Sequence, residues 1–413
     1  MRRPRLRVLL IAVLCFGLLL CRRPAVLLHA DFWAEDGWNW YPDAYNAGGH
    51  SLLVPYAGYA QTICRLVALA ATPFPLLWAP TIFALAALGI ETTAAVLLLS
   101  RRLDDVWPRR ASRALFAGMA LLLPNSFELY GNLTNAQWTL SLIGFLLLVA
   151  TPARRPLGRA LDLAVLSLCG LSGPFCLFLL PVAAWQYAAR RGADRGARLF
   201  VLTLCAVLQA ILALSAGRTT PPLLGASLPR LANIVGLQIV AGTLLGRHRM
   251  AWVLGSPLWI NHLLPFALCL LAAGLAVIAL TRGSLLLRQF CLYAALLFAA
   301  GVLRPATGSN LPAWLLFTSP DIGDRYYVIP MLAWLGVLFS LAAQPGLRIV
   351  ARALIAAVLL AIPGDLHFAT GLATAPPTDF DAAARRFAAS PLGTHAAFPI
   401  HPQGARPMHL VKH

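Results

Sequence analysis

The sequence predicts an all-α fold, a polytopic transmembrane helix bundle, and three observations carry that prediction. Hydrophobic residues make up 59% of the 413 positions, and the mean hydropathy is +0.74. Apolar runs of spanning or near-spanning length follow one another along the chain, separated by short arginine-rich breaks. Asp and Glu together number only 15, the scarcity that a lipid-embedded chain requires.

The elements follow in order. Residues 1–7 are basic and 8–20 apolar, the layout of a signal sequence. Leu18-Leu19-Leu20-Cys21 is a poor lipobox, however, and Leu28-His29-Ala30 a poor cleavage site, so the segment is expected to remain as a first helix over 6–28. Further spans are expected at 76–100, 111–124, 136–151, 160–171, 175–187, 199–214, 258–280, 286–303, 326–343 and 347–363, eleven spanning or re-entrant segments in all. Those flanking Ser172-Gly173-Pro174 are each too short for the ~20 residues of a perpendicular span and suit a re-entrant hairpin, which needs protein or water to satisfy its freed backbone groups. Residues 59–71, apolar but broken by Gln61 and Arg65, and residues 228–245 suit helices lying in the interface. Domain organisation is then a multi-pass region over 1–363, with a first outer loop at 30–75, and a short tail over 364–413. The tail opens with an amphipathic helix at 378–389 and is too short for a substantial core of its own, so it is expected to pack against the outer face.

A net charge of +18 and pI near 10.6 would point to nucleic acid in a soluble protein. Here the arginines fall at the ends of apolar segments and read as topology determinants, so no nucleic-acid partner is expected. With the N-terminus in the cytoplasm, 20 of the 33 basic residues gather on the inner side in short loops, as the positive-inside rule demands. The eight cysteines have no metal-ligand spacing with histidine and are expected to be buried thiols.

Chemistry is most legible at Asp31-Phe32-Trp33-Ala34-Glu35-Asp36-Gly37-Trp38, three carboxylates within six positions of an otherwise acid-poor chain. If this stretch is helical, Asp31 and Glu35 share a face while Glu35 and Asp36 diverge by ~100°. Mutual repulsion would raise some of their pKa values toward those of a usable base. Trp33 and Tyr59, with the neighbouring aromatics, offer stacking faces for a sugar ring; an interfacial aromatic belt explains each of them as well. Late in the chain, Asp324-Arg325-Tyr326 precedes the tenth span, where Arg325 can cap and anchor a helix or grip a phosphate through its planar fork of donors. Arg65, Arg304 and Arg247-His248-Arg249 would extend a cationic outer surface for an anionic lipid headgroup. Glu91 and Asp162 lie in or near spans, where ionisable residues are functional candidates by default, and His262 beside Asn261 sits at a helix start.

Phe32-Trp33-Ala34-Glu35-Asp36-Gly37, Pro55-Tyr56-Ala57-Gly58-Tyr59 with Arg65, Leu171-Ser172-Gly173-Pro174-Phe175, Asp324-Arg325-Tyr326 and Phe398-Pro399-Ile400-His401-Pro402-Gln403, on this topology, resemble the integral-membrane GT-C glycosyltransferases. More narrowly, they resemble a group of uncharacterised bacterial membrane proteins associated with that superfamily. The resemblance implies inverting transfer of a sugar from a polyprenyl-phosphate donor to a glycan or lipid acceptor on the outer face of a bacterial inner membrane. It implies Glu35 and Asp36 as base or acceptor-positioning groups, Asp31 as auxiliary, and Arg325 as stabiliser of the departing lipid phosphate. No cofactor is required, and the acidic cluster also suits a hard divalent cation. The larger C-terminal domain of some members has no counterpart here. The alternative is a transporter or lipid flippase with an acidic outer vestibule, whose midplane pathway would have only Glu91 and Asp162 to draw on.

Overall fold

The computed structural model describes residues 3–216, 223–305, 311–320, 322–368, 378–402 and 406–413; of the residues singled out above, Gln403 lies outside them. The helices are α1 (Arg3–Arg22), α2 (Ala25–Leu28), α3 (Tyr41–Ala47), α4 (Thr62–Ala71), α5 (Ala79–Leu98), α6 (Arg110–Leu121), α7 (Leu133–Val149), α8 (Pro156–Leu171), α9 (Phe175–Ala189) and α10 (Ala193–Ser215). There follow α11 (Leu228–Ile234), α12 (Gly242–Leu254), α13 (Pro257–Ile260), α14 (Leu263–Arg282), α15 (Leu285–Leu303), α16 (Ala313–Leu316), α17 (Val328–Leu341), α18 (Arg348–Phe368) and, in the tail, α19 (Phe380–Ala389). Among the described residues the only sheet is a hairpin, β1 (His395–Phe398) against antiparallel β2 (Met408–Val411).

Among the described residues six helical stretches are long and apolar enough to cross a membrane: Leu76–Leu98, Ala193–Ser215, Leu228–Leu254, Leu263–Arg282, Leu285–Leu303 and Pro345–Leu366. The chain is therefore an all-α membrane bundle. One of the six differs from the sequence expectation, which placed 228–245 in the interface. Here α11 and α12, joined by a π-helical turn over Val235–Ala241, form one long apolar stretch, broken where Gly246 takes φ +73°. The 364–413 boundary also moves, because α18 continues through Pro363 to Phe368.

The two segments around Ser172-Gly173-Pro174 form α8 and α9, and their junction is satisfied by protein. Gln209 of α10 donates to the carbonyls of Gly170 (3.1 Å) and Gly173 (3.0 Å), while Thr62 of α4 donates to Leu171 O at 3.0 Å. The bundle core gathers on α7 and α17, whose residues are buried nearly all round, the pattern of helices surrounded by other helices.

Several arginines read as topology markers instead turn inward and cap helix ends. Arg198 donates to Leu147 O (2.6 Å) and Ala150 O (3.2 Å) at the end of α7 and pairs with Asp162, which Arg102 also clasps. Arg113, fully buried, donates to Leu98 O and Ser100 O past the end of α5 and pairs with Asp104. Cationic donors on the last carbonyls of a helix satisfy groups that would otherwise be orphaned and complement the helix dipole. Asp162 is thus explained by packing: its carboxylate neutralises two arginines that hold helix ends.

A second, smaller core positions the site. Phe32, Trp40, Tyr41 and Ala44 from the loop after α2 pack with α4, the start of α5, and the tail residues Phe380, Ala384, Phe387, Phe398, Ile400, Met408 and Leu410. The amphipathic helix expected at 378–389 forms as α19, its Phe380 and Phe387 facing inward. Neither half of this core could close alone; the tail and the first loop fold on each other.

Candidate functional site

The acidic motif is shaped by the tail. The chain leaves α2 extended, and Trp33 pairs with His401 through backbone bonds on either side: His401 N donates to Phe32 O (3.0 Å), and Ala34 N to His401 O (2.6 Å). Ala34 then turns at φ +46° into a π-helix over Asp36–Trp40. Consequently residues 31–34 are not helical, and the shared face expected for Asp31 and Glu35 does not form. Asp31 instead accepts from Thr378 Oγ1 (2.8 and 2.9 Å) and lies 3.4 Å from His401 Nε2. It anchors the tail. Gly37 permits the close docking, since a Cβ there would sit 2.8 Å from Ile400 Cδ1.

Glu35 and Asp36 diverge, as expected of adjacent residues in a helical turn. Asp36 is 2% exposed and points at the start of α7, accepting from Leu133 N (3.1 Å) and Thr134 Oγ1 (2.8 Å); Trp40 Nε1 donates to the same threonine oxygen at 2.9 Å. Burial pushes the Asp36 carboxyl up to about 7, against the lowering effect of these hydrogen bonds, and the charge of Glu35 adds a smaller push. Desolvation, rather than the expected mutual repulsion, is the main cause.

Because the folded pKa lies above the unfolded one, the fold binds the extra proton between about pH 4 and 7. This contribution to stability is full below about pH 4 and is lost as pH rises through about 7, on the order of 4 kcal/mol. Thermal midpoints of wild type and Asp36→Asn, recorded from pH 4 to 8 in detergent, should therefore diverge, with wild type losing ground as pH rises. Parallel curves would show that Asp36 does not titrate in this window.

Glu35 faces the other way. Its carboxylate is partly exposed and makes no hydrogen bond or ion pair among the described residues. Burial raises the Tyr56 phenol pKa, with the Glu35 charge as the next cause, while Asn39, Arg406 and Arg325 act in the opposite direction. Burial works against the Arg325 cation, but Glu128, Tyr326 and Glu35 outweigh it and hold its pKa above the ordinary value. Glu35, Tyr56 and Arg325 thus lie within reach of one another's fields, although Arg325 is nearly 300 residues further along the chain. Arg325 Nη1 is paired with Glu128 Oε1, and its guanidinium lies 5.0 Å from the Tyr326 ring. On the near side, Arg406 of the tail lies 5.4 Å over Trp38 and donates to Asn39 Oδ1 at 3.2 Å.

The other candidates divide into supports and outliers. Asp324 is fully buried, with Glu128 N 3.4 Å from its Oδ2, and Tyr326 packs on Trp138 at 5.4 Å and Phe317 at 5.6 Å. Both brace Arg325. Arg65, 1% exposed, sits behind the motif, donating to Asp43 Oδ2 at 3.1 Å and lying 5.3 Å from the Trp40 ring. Tyr59 pairs its backbone with Tyr56, and Trp33 meets Phe127 edge-on at 6.4 Å. Arg304 is exposed at the end of α15, and His262 lies 3.3 Å from Asn233; neither contacts the motif.

The sequence reading missed the loop that joins these parts, residues 122–132. It receives Arg22 and Arg23 on its carbonyls, with Arg22 donating to Leu123 O at 2.9 Å and Arg23 to Phe127 O at 3.0 Å. Its Gly131 N donates to Glu91 Oε1 at 3.0 Å, and its Asn125 N to Asp365 Oδ2 at 2.6 Å. Glu91 is therefore held by a backbone donor. Asp365 also accepts from Arg247 N at 3.1 Å, capping the half-helix that restarts after Gly246. Glu128, the pivot of the loop, was legible as one of few carboxylates between two apolar runs.

Among the described residues no group of three or more His, Cys, Asp or Glu side chains is placed to hold a metal ion. Fold and site together define a helical membrane protein with a carboxylate, a phenol and an arginine converging where the first loop, the 122–132 loop and the segment before α17 meet. Comparison of the chain with models of known families, with characterised proteins and with solved structures gives no match.

Proposed function

We propose that the protein is a membrane glycosyltransferase that moves a sugar from a polyprenyl-phosphate donor to a glycan or lipid acceptor. The observation that carries this reading is the placement of the uncommitted Glu35 carboxylate within the field of Arg325. Glu35 takes or orients the acceptor hydroxyl proton. Arg325 stabilises the charge that builds on the phosphate as the anomeric carbon–oxygen bond breaks, and attack from the opposite face inverts that carbon. Asp36, fully engaged at the start of α7, positions Glu35. The site requires no cofactor of its own, and among the described residues no cluster of carboxylates is placed there to hold a divalent cation. The resemblance to GT-C glycosyltransferases noted in the sequence points the same way.

The eleven-segment topology belongs to this proposal, with the N-terminus in the cytoplasm of a bacterial inner membrane and the motif on the outer face. Reporter fusions after Arg102 and after Gly364 should then report opposite sides, and matching signals would overturn that topology.

The function is tested with radiolabelled polyprenyl-phosphate sugars in membranes holding equal amounts of wild type and Arg325→Ala. Loss of a preorganised cation at the leaving group should slow transfer by about 10²–10³-fold. Equal rates would remove Arg325 from the chemistry. A transporter is the second reading. Its best support is the broken α12 with buried Asp365 beside it, but that carboxylate is used by two backbone N–H groups.

A further inference from the structure

We propose that Glu128 is a positioning residue for the donor: it holds Arg325 in the ligand-free protein and is exchanged for the phosphate of the incoming lipid, so that its charge sets how tightly that phosphate binds. This rests on the reading of Arg325 as the phosphate-binding residue.

Four observations lead to the exchange. The pair is Arg325 Nη1 with Glu128 Oε1, and both side chains keep some exposure, 23% and 14%, so a ligand can reach the contact. The second Glu128 oxygen, Oε2, is buried without a hydrogen-bond partner. A carboxylate with one oxygen engaged and the other desolvated is less well held than one in a two-pronged arginine fork, and it is correspondingly easier to displace. The backbone of Glu128 is fixed: its carbonyl accepts from Asn132 Nδ2 (2.7 Å) and Asn135 Nδ2 (2.9 Å), and its N–H faces Asp324 Oδ2 at 3.4 Å. Exchange therefore moves the side chain and leaves the loop in place.

The local charge supplies the specificity. With Glu128 in the pair, the Arg325 cation is neutralised, and Glu35 contributes a further negative field. A neutral ligand gains little by entering. The donor's phosphodiester brings a full negative charge and two free oxygens to the same guanidinium, and the phosphate monoester released by transfer brings up to two charges, so both compete with a single carboxylate oxygen. The glutamate thus keeps Arg325 ordered yet closed to an anion such as chloride, which has no pair of oxygens to span the guanidinium fork.

The test is binding of farnesyl phosphate to purified protein in detergent, with farnesol and inorganic phosphate as controls that separate lipid from headgroup. Glu128→Gln keeps the shape and an oxygen acceptor but removes the competing charge, so farnesyl phosphate should bind about tenfold more tightly while farnesol is unchanged. Inorganic phosphate should gain by a similar factor at weaker absolute affinity. Glu128→Asp, one methylene shorter, should also tighten binding, and it decides the matter alone if the glutamine variant is recovered unfolded. Structural damage cannot produce a gain of affinity. Unchanged or weaker binding in the folded variants overturns the exchange. The outcome separates from that of the glycosyltransferase reading: tighter phosphate binding without sugar transfer leaves the exchange standing alone, and transfer with unaltered binding removes only the exchange.

Discussion

Glu35→Gln is expected to lower sugar transfer by at least about 100-fold, the usual contribution of a positioned general base, while leaving the thermal midpoint of the protein close to that of wild type. The asymmetry follows from the surroundings of the side chain. Glu35 makes no hydrogen bond among the described residues, so replacing it breaks nothing that holds the fold. Asp36→Asn should behave in the opposite sense. It sets an amide against Leu133 N or Thr134 Oγ1, so it costs stability and disturbs transfer only through the placement of its neighbour. Comparing transfer rate and midpoint for the two variants separates the roles. A transfer-competent Glu35→Gln would return the catalytic role to Asp36 or remove it from the motif.

Phe398→Ala is expected to have the largest effect on stability, about 3–5 kcal/mol for the second core. Phe398 is fully buried, with Phe387 5.3 Å and Phe380 5.9 Å away, ring centre to ring centre. It lies three residues before His401, whose backbone pairs with Phe32 and Ala34. Loss of that ring should therefore free the tail from the motif as well as lower the midpoint, and trypsin should cut more readily at Arg385 and Arg386, which lie in α19 beside the buried Phe387. A midpoint and cleavage rate equal to those of wild type would mean that the hairpin does not brace the site.

That coupling also shows what a sequence can and cannot disclose here. Apolar periodicity is local, so the helices, the short pair around Gly173 and the amphipathic segment at 378–389 are all legible, and all form. The shape of the acidic motif is not local. Residues 31–34 would satisfy a helical reading, yet the Phe32 carbonyl and the Ala34 N–H are taken by His401 at the far end of the chain, and a tertiary contact overrides local propensity. Arginine direction is likewise unreadable: Arg113 and Arg198 look like interfacial anchors until the helix ends they cap are known. Asp365 was hidden by placing the tail boundary before it, within what proves to be α18. Glu128 was overlooked in its short polar loop, although the sequence carries a signal for it. An acid-poor chain that places a carboxylate between Pro124-Asn125-Ser126 and Gly131-Asn132 does mark that loop as more than a connection.

The convergence of Glu35 and Arg325 gives the site a division of labour. In the proposed transferase Glu35, which makes no hydrogen bond among the described residues, handles a proton, and Arg325, held charged by its neighbours, receives a developing negative charge. Tyr56, Asn39 and the Arg406–Trp38 pair border the same space from the first loop and the tail, so both ends of the chain contribute walls.

The measurement that tests the central claim most directly uses purified protein in sealed vesicles, a polyprenyl-phosphate donor labelled in its sugar, and an envelope glycan and lipid extract as acceptor. The account predicts that label passes from the donor to the acceptor and that free polyprenyl phosphate accumulates in equal amount. Movement of the labelled lipid across the bilayer with its sugar–phosphate bond intact, and no label on any acceptor, would contradict the account and establish a transporter.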